Sequence, residues 1–178
     1  MRRTLRCAST GLLLAAVVLA GCSAQPSASA EDGGVLPEGV TVFDDRYAGV
    51  TNLEDDLLVA LRRAAIDAAK SGVEIDVNSG WRSPEYQDRL LDEAVAEYGS
   101  AAAAARWVAT AQTSPHVAGQ AVDVGGSDAV AWLSKHGAAY GLCQIYRNEP
   151  WHYELRRSAF TAGCPAMYAD PTRDPRMQ

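Results

Sequence analysis

Two histidines and two carboxylic acids stand apart from the rest of the chain: His116, Asp123, Glu149 and His152. An imidazole and a carboxylate bracket a glycine turn, and a second imidazole follows downstream. Together His116, Asp123 and His152 can supply three zinc ligands and leave the fourth tetrahedral position to water, as a catalytic zinc site requires. Each residue alone has a plainer explanation. A lone histidine is more often a hydrogen-bonded, partly buried group than a ligand, and Asp123 could cap the turn at Gly125 and Gly126. His136 makes the point, since it falls among Trp132, Leu133 and Tyr140 with no partner at ligand spacing and reads as structural. Only the joint pattern lifts His116 and His152 above that background.

These residues need elements to hold them. Asp123 shares one face of a short strand over 121–124 with Ala121, while Val122 and Val124 point to the other. Ala121 leaves room beside the carboxylate, and Gly119 lets the chain reverse so that His116 and Asp123 can converge. Upstream, apolar residues from Leu53 to Ala68 follow a helical period over 52–70, with Asn52 as N-cap and Gly72 just past the end. Val73, Ile75 and Val77 alternate with polar residues as a strand with one buried face. Ser79-Gly80-Trp81-Arg82-Ser83 makes a turn, and Ser83 with Pro84 opens a second helix. An alanine-rich helix over 100–111, a helix over 127–140 and two strands near 142–146 and 151–155, close enough for a hairpin, complete the pattern. Helices come first and strands cluster later, which indicates a small α+β domain with a central antiparallel sheet. Trp151 reads as core packing beside His152.

The chain has 178 residues, with 16 Lys+Arg against 22 Asp+Glu, and 48% of it is hydrophobic. That suits one globular domain with an extra segment and excludes a wholly disordered chain. Arg2, Arg3 and Arg6 precede an apolar run over 11–20, too short to span a bilayer as a permanent helix. The run ends in Leu19-Ala20-Gly21-Cys22, which resembles a bacterial lipoprotein signal with Cys22 as the acylated residue. Cleavage after Ala28-Ser29-Ala30 is the alternative. Residues 1–21 are therefore a signal peptide, 22–38 a Ser/Ala/Gly/Pro-rich tether and 39–178 the folded domain, an extracytoplasmic lipoprotein anchored to the membrane by its lipid. Loss of the leader's arginines leaves a strongly acidic surface with no basic stripe, which excludes nucleic acid as a partner. A monomer is expected. In an oxidising compartment Cys143 and Cys164 pair as a structural disulfide, since their separation lacks the short spacing of a zinc knuckle.

Ser114-Pro115-His116-Val117-Ala118-Gly119-Gln120-Ala121-Val122-Asp123 resembles the SxHxxGxAxD signature of the VanY-like zinc D,D-carboxypeptidases of bacterial cell walls. Glu149-Pro150-Trp151-His152 is similar to their ExxH element, and Ser79-Gly80-Trp81-Arg82-Ser83 with Gln87 to their SGxRS…Q segment. The three motifs occur in the family's order across residues 79–152. The resemblance implies a small α+β fold with Zn2+ over an antiparallel sheet, bound by His116, Asp123 and His152. It implies Glu149 as general base, Arg82 near the scissile carbonyl or the substrate carboxylate, and Ser114 and Gln87 helping to hold the peptide end. Ala111-Gln112-Thr113 stands where many relatives have a proline-glycine turn, in a loop expected to border the cleft.

Two assignments stay open in the residues themselves. Without the resemblance, Arg82 has a helix-face acid such as Glu85 as an alternative partner. Glu149 precedes Pro150 and is biased toward extended geometry, so in a straight strand Glu154, not Glu149, shares a face with His152. Pattern alone favours Glu154 slightly as the base; the resemblance implies Glu149, with a bend at Pro150. The activity implied is release of the C-terminal D-alanine from peptidoglycan stem peptides. Alternatives on the same site are an L,D-carboxypeptidase, a D-Ala-D-Ala dipeptidase or a cross-link endopeptidase. A wall-binding lipoprotein with structural zinc is the non-catalytic alternative.

Overall fold

The computed structural model describes residues 33–177. The leader and Cys22 lie outside the described residues. The end of the stretch read as a tether lies inside them: Gly33 and Gly34 are buried, and the Ser83 amide donates to the Gly33 carbonyl at 2.9 Å. Among the described residues no helix is long and apolar enough to cross a membrane.

After a single turn, α1 (Ala48–Thr51), comes the long helix α2 (Asp55–Ala69). Its N-cap is Glu54 and not Asn52, with Asp55 and Asp56 in the first turn where the helix dipole favours negative charge. Its Leu57, Leu61, Ala64 and Ala68 are buried along one stripe. Helix α3 (Pro84–Tyr98) opens as its sequence demands: the Ser83 hydroxyl accepts the Tyr86 amide at 3.1 Å and Pro84 occupies the first turn. The alanine run yields only α4 (Ala101–Ala104), with the Ser100 side chain as cap. A helix this short depends on tertiary contacts, and beyond it the chain turns to stack Trp107 on Tyr98 at 5.9 Å. The helix expected over 127–140 is α5 (Ser127–His136) continued by a 3-10 turn, Gly137–Tyr140.

Four strands, β1 (Asp76–Ser79), β2 (Ala121–Gly125), β3 (Leu142–Gln144) and β4 (His152–Leu155), form one sheet in the order β1-β2-β4-β3. Every pairing is antiparallel, and β3 and β4 make the expected hairpin. Alternation divides the faces. Val77, Val122, Val124, Leu142 and Tyr153 pack with Leu57 and Leu61 of α2 and Leu133 of α5 into the main core. The opposite face carries Asp123 directly across from His152, and Ala121 across from Glu154. A register break between Val77 and Ser79 sets Ser79 against Asp123, a re-aiming typical of a bulge beside a functional site.

Past α6 (Ala159–Ala162), the disulfide Cys143–Cys164 ties the chain back to β3. Tyr168 then bridges to Tyr146, and two 3-10 turns, Pro171–Arg173 and Pro175–Met177, follow. This last segment covers a second small cluster of Cys143, Ile145, Tyr146 and Ala159, against which Met177 packs.

Candidate metal centre and active-site cleft

The α4–β2 loop carries His116, and local backbone contacts fix it. The Gly119 amide donates to the His116 carbonyl at 3.0 Å, and the Glu54 amide donates to the Gly119 carbonyl at 2.8 Å. Gly119 has φ +73°, and a Cβ there would meet the Asn52 carbonyl oxygen at 2.6 Å. Only glycine allows both the left-handed turn and that approach. The His116 ring is oriented by its Nδ1, 2.8 Å from the Gly80 carbonyl, which makes Nδ1 the donor and leaves the Nε2 lone pair facing the sheet.

There Nε2 of His116 lies 3.3 Å from Nδ1 of His152 and 3.4 Å from Oδ1 of Asp123, while His152 Nδ1 and Asp123 Oδ1 are 3.1 Å apart. Ligand bonds of about 2.0–2.1 Å around a tetrahedral ion put neighbouring donors roughly 3.3 Å apart. The three atoms therefore form one triangular face of such a tetrahedron, and all three residues are buried. Their outer contacts suit a metal as well. His152 Nε2 lies 3.2 Å from Oε1 of Glu154, which makes it the donor to a carboxylate and frees Nδ1 for an ion. The donor set fits zinc.

Charge follows the same arrangement. Burial pushes the Asp123 carboxyl up, but the two imidazoles and Arg82 outweigh it and hold the carboxyl well below its usual range. Burial and the Arg82 charge lower His116. Burial also opposes a charge on His152, yet Asp123 and Glu154 raise it to about 9. Without an ion that imidazole keeps a proton, which a bound metal would displace.

The two candidate bases lie on opposite sides of His152. Glu149 turns in through a tight turn, its carbonyl accepting the His152 amide at 3.0 Å, so the bend at Pro150 brings its Oε2 to 3.9 Å from Nδ1, the ligand nitrogen. Its other oxygen, Oε1, is buried with no hydrogen-bond partner among the described residues. Burial raises the Glu149 carboxyl to about 7, with His152 opposing and the Asp123 charge adding to the rise. Glu154 instead faces Nε2, away from the ligand triangle; burial pushes its carboxyl up, but His152, Arg176 and Arg156 outweigh it and hold it at about 2. A free carboxylate oxygen on the ligand side belongs to Glu149 alone of the two.

Arg82 donates to Ser79 Oγ at 2.7 Å, Gln87 Oε1 at 3.2 Å and Asp123 Oδ2 at 2.8 Å. Its ion-pair partner is thus Asp123 and not Glu85. Gln87, almost fully buried, also donates to the Ala109 carbonyl at 2.9 Å, so both ends of its amide are engaged in holding Arg82 and the loop before Ser114. Ser114 is buried below that loop, where its amide donates to the Thr110 carbonyl at 2.9 Å. All three line a cleft of about 310 Å³ together with His116, Asp123, Glu149 and His152. From the metal centre the cleft runs past Leu90, Glu93 and Glu97 to the stacked Tyr98 and Trp107. Trp151 lies on its rim, 39% exposed, and is not core packing as its size suggests: the turn that brings Glu149 inward swings the following ring outward. His136 is exposed and leans on Trp132 at 4.7 Å, away from the site.

Sequence reasoning did not single out Tyr146, Asp174 or Arg176. The Tyr146 ring lies 5.1 Å from that of His152, and its hydroxyl donates to Asp174 at 3.0 Å. Spacing along the chain carries no signal for these contacts, because the last segment folds back from beyond the motifs.

Comparison with known proteins agrees with this geometry. A family model described as D-alanyl-D-alanine carboxypeptidase, VanY, matches residues 51–156. A curated D-alanyl-D-alanine carboxypeptidase of Enterococcus faecalis is 36% identical over 113 residues, covering 49% of this chain and 42% of that protein. The chain thus spans less than half the length of that relative. The vancomycin-resistance D,D-pentapeptidase VanY of a VanB-type cassette, solved in complex with Zn(II), is 29% identical, with a TM-score of 0.57, and the match covers 63% of this chain and 80% of that one. VanYB in complex with D-alanine-D-alanine is 27% identical with a TM-score of 0.56, covering 63% and 78% of the two chains. With an antiparallel sheet, a His-Asp-His group able to hold a metal and a family match over more than half its length, the chain belongs to the VanY family of D-alanyl-D-alanine carboxypeptidases.

Proposed function

We propose that this protein is a zinc peptidase that removes the C-terminal D-alanine from peptidoglycan stem peptides outside the cytoplasmic membrane, to which Cys22 anchors it. One observation carries the reading: a triangle of three ligand atoms with the unpartnered, buried Oε1 of Glu149 beside it, in an open cleft. A closed structural site would need no such oxygen.

His116, Asp123 and His152 would hold the ion, and when bound it supplies Lewis acidity that activates water and polarises the scissile carbonyl. Glu149 is the general base. It takes a proton from the attacking water as the oxygen adds to the carbonyl carbon, then passes it to the departing D-alanine amine as the C–N bond breaks. Arg82 uses three of its five N–H donors within the protein, which leaves two for the developing oxyanion or the terminal carboxylate of the peptide. Ser114 and Gln87 set the wall on which the peptide end lies. The rest of the stem follows the cleft toward Tyr98 and Trp107.

The zinc-loaded protein incubated with a stem pentapeptide is expected to release one D-alanine, read as the loss of one alanine residue by mass spectrometry. Tetrapeptide, cross-linked and dipeptide-releasing substrates in parallel distinguish the other peptidase activities, and bound zinc with no release from any of them favours the wall-binding reading. Glu149→Gln is expected to keep zinc and lower kcat by about 10²–10⁴-fold. Near-normal turnover in that variant rejects Glu149 as the base.

A further inference from the structure

Glu154 is almost fully buried on β4, on the far side of the His152 ring from Glu149. A buried carboxylate needs cations, and the sequence supplies one nearby, Arg156, whose Nη2 lies 2.7 Å from Oε2. The oxygen that faces His152 is Oε1, and it is held from elsewhere. Arg176, 22 residues farther along the chain, places a fork on the carboxylate: Nη1 donates to Oε2 at 2.7 Å and Nη2 to Oε1 at 3.1 Å. Two parallel donors of this kind fix the plane of a carboxylate as well as its charge.

Arg176 is itself fixed. The fully buried Asp174 accepts the Arg176 backbone amide at 3.0 Å and its Nε at 3.0 Å and 3.1 Å. Asp174 Oδ2, which shares the Arg176 Nε, also accepts the hydroxyl of Tyr146, whose ring lies against His152. The segment over 174–176 thus reaches one metal ligand from two directions, through Glu154 to its Nε2 and through Tyr146 to its ring face. None of this segment falls within residues 51–156, which match the family model.

We infer that Arg176 is a positioning residue of the metal centre: its fork fixes the Glu154 carboxylate, which holds the His152 ring with Nδ1 turned toward Asp123 and His116. This rests on the zinc-site reading above. A ring free to rotate about its χ angles would present Nδ1 to the ion only part of the time, and partners of metal-bound histidines are worth about 10–100-fold in metal affinity.

Zinc affinity of the full chain, measured by competition with a chromophoric chelator, tests it alongside the melting temperature of the metal-free protein. Arg176→Met is expected to weaken zinc binding about ten-fold, within the range for such partners. Glu154→Gln is expected to weaken it at least as much, and the double variant no more than Glu154→Gln alone, because both act through one carboxylate. Zinc affinity equal to the parent's in Arg176→Met, or a loss that adds in full to that of Glu154→Gln, overturns the inference. A lower melting temperature with unchanged zinc affinity also overturns it, as that is the signature of a merely structural tail. Should Arg176→Met not fold, Arg176→Gln is measured against the same outcomes. The parent and His116→Ala separate the two levels. A parent that binds zinc no better than His116→Ala defeats the zinc site itself, whereas strong binding by the parent and equally strong binding by Arg176→Met defeats only the role of Arg176.

Discussion

Arg82 joins three parts of the molecule through one planar group: the end of β1 at Ser79, α3 at Gln87 and the central strand at Asp123. Lysine keeps the charge but loses the fork. Arg82→Lys is therefore expected to lower kcat by at least about ten-fold, because one ammonium cannot satisfy Ser79, Gln87 and Asp123 and still serve the peptide. Steady-state kinetics on a stem pentapeptide, with zinc content measured in parallel, checks this. His116, Asp123 and His152 were legible in the sequence because each lies in a motif with fixed neighbours. The choice between Glu149 and Glu154 was not legible from alternation, which assumes a straight strand. The turn at Pro150 breaks that assumption and gives the two acids opposite sides of one ring.

The central strands were legible because β2 and β4 alternate so strictly that one face must be core and the other must carry Asp123, His152 and Glu154. Helix α3 was legible from Ser83 and Pro84, a local stop-and-start signal. The alanine run predicts a short helix over 100–111 but forms only α4, since propensity alone does not outweigh the stacking of Trp107 on Tyr98 that requires the chain to turn. Between these elements the His116 loop depends on Gly119. Gly119→Ala puts a Cβ into the Asn52 carbonyl at a positive φ. It is expected to destabilise the fold by about 1–3 kcal/mol and to weaken zinc binding through displacement of His116. Denaturant unfolding and chelator competition on the same preparation measure both. Unchanged values in the two assays would show that the loop tolerates the shift.

Across the whole molecule, the sheet divides labour between its faces, one packed against α2 and α5 and the other open to the cleft. The disulfide between Cys143 and Cys164 joins β3 to the final segment over a separation of 21 residues. By loop-closure entropy that link is worth about 3 kcal/mol, so a Cys143→Ser/Cys164→Ser variant is expected to unfold at correspondingly lower denaturant concentration. The pairing was legible because reading Cys7 and Cys22 as leader and anchor leaves only Cys143 and Cys164 to pair, whereas the return of Arg176 to the metal centre was not, because nothing local marks it.

The carbonyl that aims His116 belongs to Gly80, and a Cβ at Gly80 would collide with the Gly49 carbonyl oxygen at 2.0 Å. Gly49 in turn lies against the carbonyl of Gly34, where a Cβ on Gly49 would come within 2.7 Å. Three backbones are thus stacked like shims behind a single imidazole, and two of them precede residue 51. A protein trimmed to residues 51–156, the stretch the family model matches, would retain every motif and lose the wedge that sets the ligand's angle. Its catalytic lettering would be intact, but the frame that gives it meaning would be gone.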